Sequence, residues 1–262
     1  MDQIIDLDRY PLDRPGSPDW LALVDNARAE IAASGMANLP GFLRPAALAQ
    51  ALAEIVPVMD RLAFVHRRAH NVYFTDSVAG LSPDHPALAK VETINHTVCW
   101  DQIPTSVPAW VYDWPPLAVF LAAVLGKSAL FPMRDALARM NVMKYGHGEA
   151  LNWHFDRSEF TTTLLLQEPS GGGRNEYRAN LRSAADPNHD GVAAALEGRD
   201  PEVKSFAMAA GTLNIFLGRD TLHRVTRCEG ERARYIAVFS YYDRPAVCFT
   251  KEEQVGFYGR AA

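Results

Sequence analysis

Apolar residues recur along this chain with two different periods, and the change of period divides it. Ser17-Pro18-Asp19 marks a helix start, with proline at the first helical position. Trp20, Leu21, Val24, Ala27 and Ile31 follow at helical spacing until Gly35 ends the pattern. Met36 to Leu39 reads as a short strand ahead of a turn at Pro40-Gly41, and Pro45 opens a second helix to about Met59. Residues 64–116 show no sustained period and are expected to form an irregular covering. Within it the basic run His66-Arg67-Arg68 reads as surface in preference to part of an anion pocket, and Asn95 and Asp101 fall where they could cover a site. Trp114-Pro115-Pro116 breaks the chain, and Leu117 to Leu125 is a short helix stopped by Gly126.

From Leu130 the pattern changes to strands. They are expected at Leu137–Tyr145, Leu151–Asp156, Phe160–Gln167, Phe206–Ala209, Leu213–Leu217, His223–Thr226 and Arg234–Tyr242. Gly171-Gly172-Gly173 is a turn, and without a following Lys-Ser/Thr it is no phosphate loop. Residues 183–201 are a polar excursion with a short helix near Val192 to Leu196. No repeat or linker divides the chain. A single domain over 1–262 is expected: a helical N-terminal part with the site covering (1–129), a strand core (130–245) and a C-terminal segment (246–262). Strands after a helical first half predict an α+β fold, a double-stranded β-helix or jelly-roll, cupin-like barrel with N-terminal helices packed outside.

Composition narrows the function classes. Of 262 residues, 48% are hydrophobic and 22% charged, the balance of a soluble globular protein. A net charge of -5 argues against general nucleic-acid binding. Cys99, Cys228 and Cys248 show no paired spacing, which points to a reducing, cytoplasmic setting. The first residues lack a basic, then apolar, leader, and no apolar run approaches the roughly 18 residues of a membrane span.

The chemistry concentrates around Asn152-Trp153-His154-Phe155-Asp156 and a distal His223. On a strand, residues two apart share a face, so His154 and Asp156 would aim a nitrogen and an oxygen at one point. With His223, in a second strand-like segment, they would make the two-histidine, one-carboxylate set of non-heme Fe(II) oxygenases. Arg234 opens the next strand.

This ordered set resembles the Fe(II)- and 2-oxoglutarate-dependent dioxygenases. More narrowly, the chain is similar to a bacterial group of radical halogenases and hydroxylases acting on free amino acids such as lysine. The resembling segments are His70-Asn71-Val72-Tyr73, Asp84-His85-Pro86, Asp101-Gln102-Ile103-Pro104, Trp153 to Phe160, and Tyr258-Gly259-Arg260. The resemblance implies Fe(II) on His154, Asp156 and His223, with 2-oxoglutarate and dioxygen as co-substrates and succinate and CO2 as products. It implies an arginine on the far carboxylate of 2-oxoglutarate. Arg232 and Arg234 share strand parity, and Arg234, which begins the apolar strand, is the better desolvated choice. Tyr145, nine residues before His154, matches a tyrosine that contacts the co-substrate in some relatives, and Asn141 has the same parity. Halogenases of the group carry a small residue where this chain has Asp156, so hydroxylation is the expected outcome. One departure stands out: relatives tend to carry an aromatic where Asn175 precedes Glu176-Tyr177. The expected partner is a small molecule, a free amino acid. Competing readings are an oxygenase of a protein side chain or natural product, and a non-redox cupin-like metal-binding protein. A pure binding barrel has no need of Arg234.

Overall fold

The computed structural model describes residues 1–156 and 160–262. Helix α1 (Pro18–Ser34) begins at the signals in its sequence. The Ser17 side chain accepts from the Trp20 N–H, and Pro18 fills a position whose N–H would otherwise lack a partner. Gly35 ends it at φ 90°, a backbone state open to a residue without Cβ. Strand β1 (Met36–Leu39) and helix α2 (Pro45–Leu62) follow.

The segment 64–116 corrects the expectation of an irregular covering. It holds strands β2 (Phe64–His70) and β3 (Val91–Cys99), paired antiparallel from Phe64↔Thr97 to His70↔Val91, and helix α3 (Val107–Asp113). Two physical causes hid the strands. β2 lies at a sheet edge, where charge is favoured, and His66-Arg67-Arg68 masks its alternation. β3 does alternate, but Thr93, Asn95 and Thr97, its buried residues facing a cavity, are polar. A hydrophobic period cannot register a polar inner face.

Helix α4 (Pro115–Val124) completes the helical part. The strands that follow are β4 (Phe131–Pro132), β5 (Met140–Tyr145), β6 (Leu151–His154), β7 (Phe160–Gln167), β8 (Gly171–Gly172) and β9 (Asn175–Arg178). After helix α5 (His189–Leu196) come β10 (Lys204–Phe206), β11 (Leu213–Phe216), β12 (Leu222–Val225), β13 (Cys228–Glu229) and β14 (Arg234–Tyr242). β10 ends at Phe206, where the sequence suggested a start. Helix α6 (Lys251–Tyr258), begun by a Thr250/Glu253 capping box, closes the described chain.

One sheet runs β1-β11-β7-β14-β5-β3-β2 with β4 on β14, and a second runs β10-β9-β12-β6. β13 and β8 form a separate pair. Among the described residues no strand ladder joins the two larger sheets, although Ile94 and Ala150 form one isolated bridge. The ladders therefore build two facing antiparallel layers, compatible with a jelly roll, and not a closed barrel.

β14 shows how the layers share work. Ala237, Phe239 and Tyr241 enter the core with Ile55, Tyr112 and Phe120 from the helices. Tyr241 donates to the Tyr112 carbonyl at 2.9 Å, tying that core together. Arg234, Ile236 and Val238, on the other face, line the space between the sheets. No single described helix is long and apolar enough to cross a membrane. The bent pair α3–α4 meets length and composition only together, and its Val107, Val111, Leu117 and Leu121 are fully buried.

Candidate metal centre and its two cavities

His154 ends β6 and lies directly opposite His223 on β12, their rings 4.1 Å apart between centroids. Each ring is oriented by its own chain. His154 Nδ1 meets the Asn152 carbonyl at 2.8 Å, and His223 Nδ1 meets the Thr221 carbonyl at 2.9 Å. A carbonyl only accepts, so both Nδ1 atoms carry hydrogen and both Nε2 atoms are directed to the site. Asp156 lies two residues beyond β6, its N–H donating to the Gly218 carbonyl at 3.0 Å. Its Oδ1 stands 3.4 Å from each Nε2, and one ligand atom from each of the three residues lies within 4.8 Å of the others.

Electrostatics make the trio a cation site. Burial opposes charge on Asp156, yet His223 and His154 overcome it and hold the carboxyl well below the usual carboxylate range. Burial and His223 push His154 down. Burial also opposes charge on His223, but Asp156 prevails and raises it. The buried carboxylate thus favours positive charge beside it, which a divalent cation would supply. Two imidazole nitrogens and one carboxylate oxygen on one side of such a cation fit Fe(II) and leave its other positions open.

Two cavities, of about 190 and 120 Å³, meet at His154 and Asp156 and share Met143, Leu151 and Val238. The smaller is closed by Arg234, which is 1% exposed and opposite Tyr145 in the β14–β5 register. Its guanidinium lies 5.8 Å from the Tyr145 ring centre, and Nη2 donates to Asn175 Oδ1 at 3.1 Å. Among the described residues, Nη1 is buried without a hydrogen-bond partner. Burial pulls the Arg234 pKa down, but an arginine remains a cation in a protein. A buried cation with no paired carboxylate is costly, and an anionic ligand would relieve it. Arg232 is exposed and donates to the Glu168 carbonyl, away from both cavities.

Tyr145 and Asn141 share a face of β5 but not a cavity. Tyr145 stands beside Arg234, while Asn141, opposite Val238, lines the larger cavity. Asn141 Nδ2 donates to the Leu137 carbonyl at 2.7 Å, and its Oδ1 accepts from the Tyr258 hydroxyl at 3.0 Å. Four residues along a strand is roughly 13 Å, which separates the two roles.

The larger cavity contains residues that the sequence did not single out. Phe74, held at φ 55°, stacks on His70 at 4.4 Å and stands edge-on to His154 at 6.1 Å. Asn71 builds that turn, its Oδ1 accepting from the Tyr73 and Thr75 N–H groups; an asparagine turn ahead of an aromatic was the available signal. Asn95 and His66 line this cavity too. Arg67 pairs with Glu92 at the surface. Asp101 instead receives both Arg260 terminal nitrogens, at 2.7 and 2.8 Å, and anchors the segment after α6. The Arg157-Ser158-Glu159 part of the sequence resemblance lies outside the described residues.

The Halogenase D family model matches residues 21–252. Among solved structures, the chain is similar to an oxidoreductase of the 2OG-Fe(II) oxygenase family from Burkholderia pseudomallei, at 15% identity over 89% of this chain and 94% of that one, TM-score 0.53. It is similar to the epimerase SnoN, solved with Fe3+, alpha ketoglutarate and nogalamycin RO, at 17% identity over 85% and 84%, TM-score 0.55. It is also similar to a prolyl hydroxylase from Trichoplax adhaerens in complex with a hypoxia inducible factor peptide fragment, at 13% identity over 86% and 91%, TM-score 0.51. These likenesses show a shared fold. No curated protein sequence matches the chain.

Proposed function

The chain belongs to the Halogenase D family, and from that premise we propose that it is an Fe(II)- and 2-oxoglutarate-dependent hydroxylase of an unactivated C–H bond in a small substrate. Free amino acids, lysine first, are the substrate class favoured by the sequence resemblance. The observation that carries the reading is the junction itself: a two-histidine, one-carboxylate trio where two cavities meet, one ending in an unpaired buried guanidinium.

His154, Asp156 and His223 would hold the iron, and Arg234, beside Tyr145, would hold the far carboxylate of 2-oxoglutarate in the smaller cavity. The bound iron and co-substrate would supply the oxidising chemistry, consuming dioxygen and releasing succinate and CO2. The protein supplies position. The two carbonyl-bound Nδ1 atoms fix both rings, and Phe74 and Phe155 give the substrate side an apolar wall. Asn141 then belongs with the substrate and not with the co-substrate. The Asp156 carboxylate fills the ligand position a halide would need, which directs the outcome to oxygen despite the family's name.

A larger uncharged natural product is the second reading. The larger cavity is walled by aromatic rings and, apart from Asp156, carries no acidic, lysine or arginine side chain among the described residues. Incubation with Fe(II), 2-oxoglutarate, excess chloride and a panel of free amino acids tests both. Succinate formation with a product gaining one oxygen supports the proposal. A product exchanging hydrogen for chlorine overturns hydroxylation, and turnover of none of the panel overturns the amino-acid class.

A further inference from the structure

We propose that Asn175 is a second donor to the anion held by Arg234, so that one carboxylate is gripped by a guanidinium from one sheet and a primary amide from the other. This rests on the co-substrate reading above and deepens it.

Strand register puts Asn175 in place. β9 pairs with β12 so that Tyr177 opposes His223 and Asn175 opposes Val225. Alternation then turns Asn175 to the same face as His223, into the smaller cavity. Arg234 reaches it from β14, Nη2 donating to Asn175 Oδ1 at 3.1 Å. That contact settles the amide orientation, because the flipped amide would set Nδ2 donor to donor against the guanidinium. With Oδ1 committed to Arg234, Nδ2 is left buried without a hydrogen-bond partner among the described residues, and Arg234 Nη1 is left in the same state.

Two unpartnered buried donors, from facing sheets and coupled by one hydrogen bond, mark a missing acceptor. Water would satisfy hydrogen bonds but leave the guanidinium charge uncompensated. A carboxylate supplies both oxygens and the charge, and its two acceptors suit two donors side by side. The asparagine that departs from the aromatic of similar chains thus acquires a use.

The test is anaerobic calorimetric titration of the Fe(II)-loaded protein with 2-oxoglutarate. Asn175→Asp is the decisive variant. It preserves shape and the acceptor for Arg234 but removes the donor and adds a negative charge. We expect it to weaken 2-oxoglutarate binding at least about tenfold, with ligand-free Tm unchanged or raised, and Asn175→Ala to weaken it severalfold, with iron content unchanged in both. Wild-type affinity in Asn175→Asp, or wild-type or tighter affinity in Asn175→Ala, would overturn the proposal, because each variant removes the Nδ2 donor. Titration with succinate, glutarate and phosphate separates the two layers. If wild type binds one of these but not 2-oxoglutarate, with the same sensitivity to Asn175→Asp, the donor pair stands and the co-substrate reading falls. If wild type binds none of the four, both fall.

Discussion

The two cavities that meet at His154 and Asp156 are built on the same pair of strands and are chemically opposite. At the Arg234–Tyr145 end of the β14–β5 ladder, polar groups face the space with unmet demands: among the described residues, Arg234 Nη1 and Asn175 Nδ2 are buried without hydrogen-bond partners. At the Val238–Asn141 end, polar groups satisfy one another. Asn141 is held by Leu137 and Tyr258, Thr97 donates to Asn95, and His70 meets Thr93 at 2.7 Å. The first end sacrifices stability for a site that demands one charged ligand. The second is internally settled, and rings such as Phe74 and Phe257 shape it. A fixed co-substrate suits the first, and a substrate chosen by shape suits the second.

The comparison breaks most completely at the junction. His223→Ala should take the protein from about one iron per chain to nearly none and abolish succinate formation, measured by metal analysis and product assay. Normal iron content would remove His223 from the centre. Arg234→Ala should raise the 2-oxoglutarate KM at least about tenfold, as lost charge-assisted bonds are worth roughly 1.5–3 kcal/mol, whereas Arg232→Ala should change it little. The reverse order would move the anion site to the surface. Without ligand, Arg234→Met should hold or raise Tm, since it removes an unpaired buried cation. At the quiet end, Tyr258→Phe should raise the substrate KM only about two- to tenfold and leave 2-oxoglutarate affinity unchanged, the scale of one neutral hydrogen bond. An equal effect on both ligands would merge the two cavities into one.

A separate effect is on pH dependence. Burial pushes the His70 pKa from 6.5 down to about 4. Between those values the unfolded chain takes up a proton that the folded ring refuses, so stability falls as pH drops from about 6.5 and levels off near 4. His70→Gln should flatten that limb in urea unfolding series. An unchanged slope would show that His70 is not its source.

How far these features were legible varied with the kind of signal. The metal trio and the arginine after it stood in linear order, and α1 announced itself through Ser17, Pro18 and Gly35. The β2–β3 pair did not, because charge lies on the edge strand and polar side chains face the cavity. Parity could not rank Arg232 against Arg234; the apolar strand that Arg234 opens favoured it, and burial separates the two, Arg234 being 1% exposed and Arg232 at the surface. Parity also placed Tyr145 and Asn141 on one face without saying that four residues carry them into different cavities. Phe74 depends on a φ of 55°, which no hydrophobic pattern encodes.

β14 couples two selective pressures that act separately in most strands. Its odd residues Ala237, Phe239 and Tyr241 are core beneath the helices, and its even residues Arg234, Ile236 and Val238 are the wall of the site. Point changes on one face leave the other intact, so substrate preference can drift while the helical core holds. A change of length cannot be so confined. One residue inserted within the strand reverses every side chain beyond it, sending site residues into the helices and core residues into the cavity. Descendants of this sequence should therefore diverge in β14 by substitution, with insertions and deletions pushed out to the turns at either end.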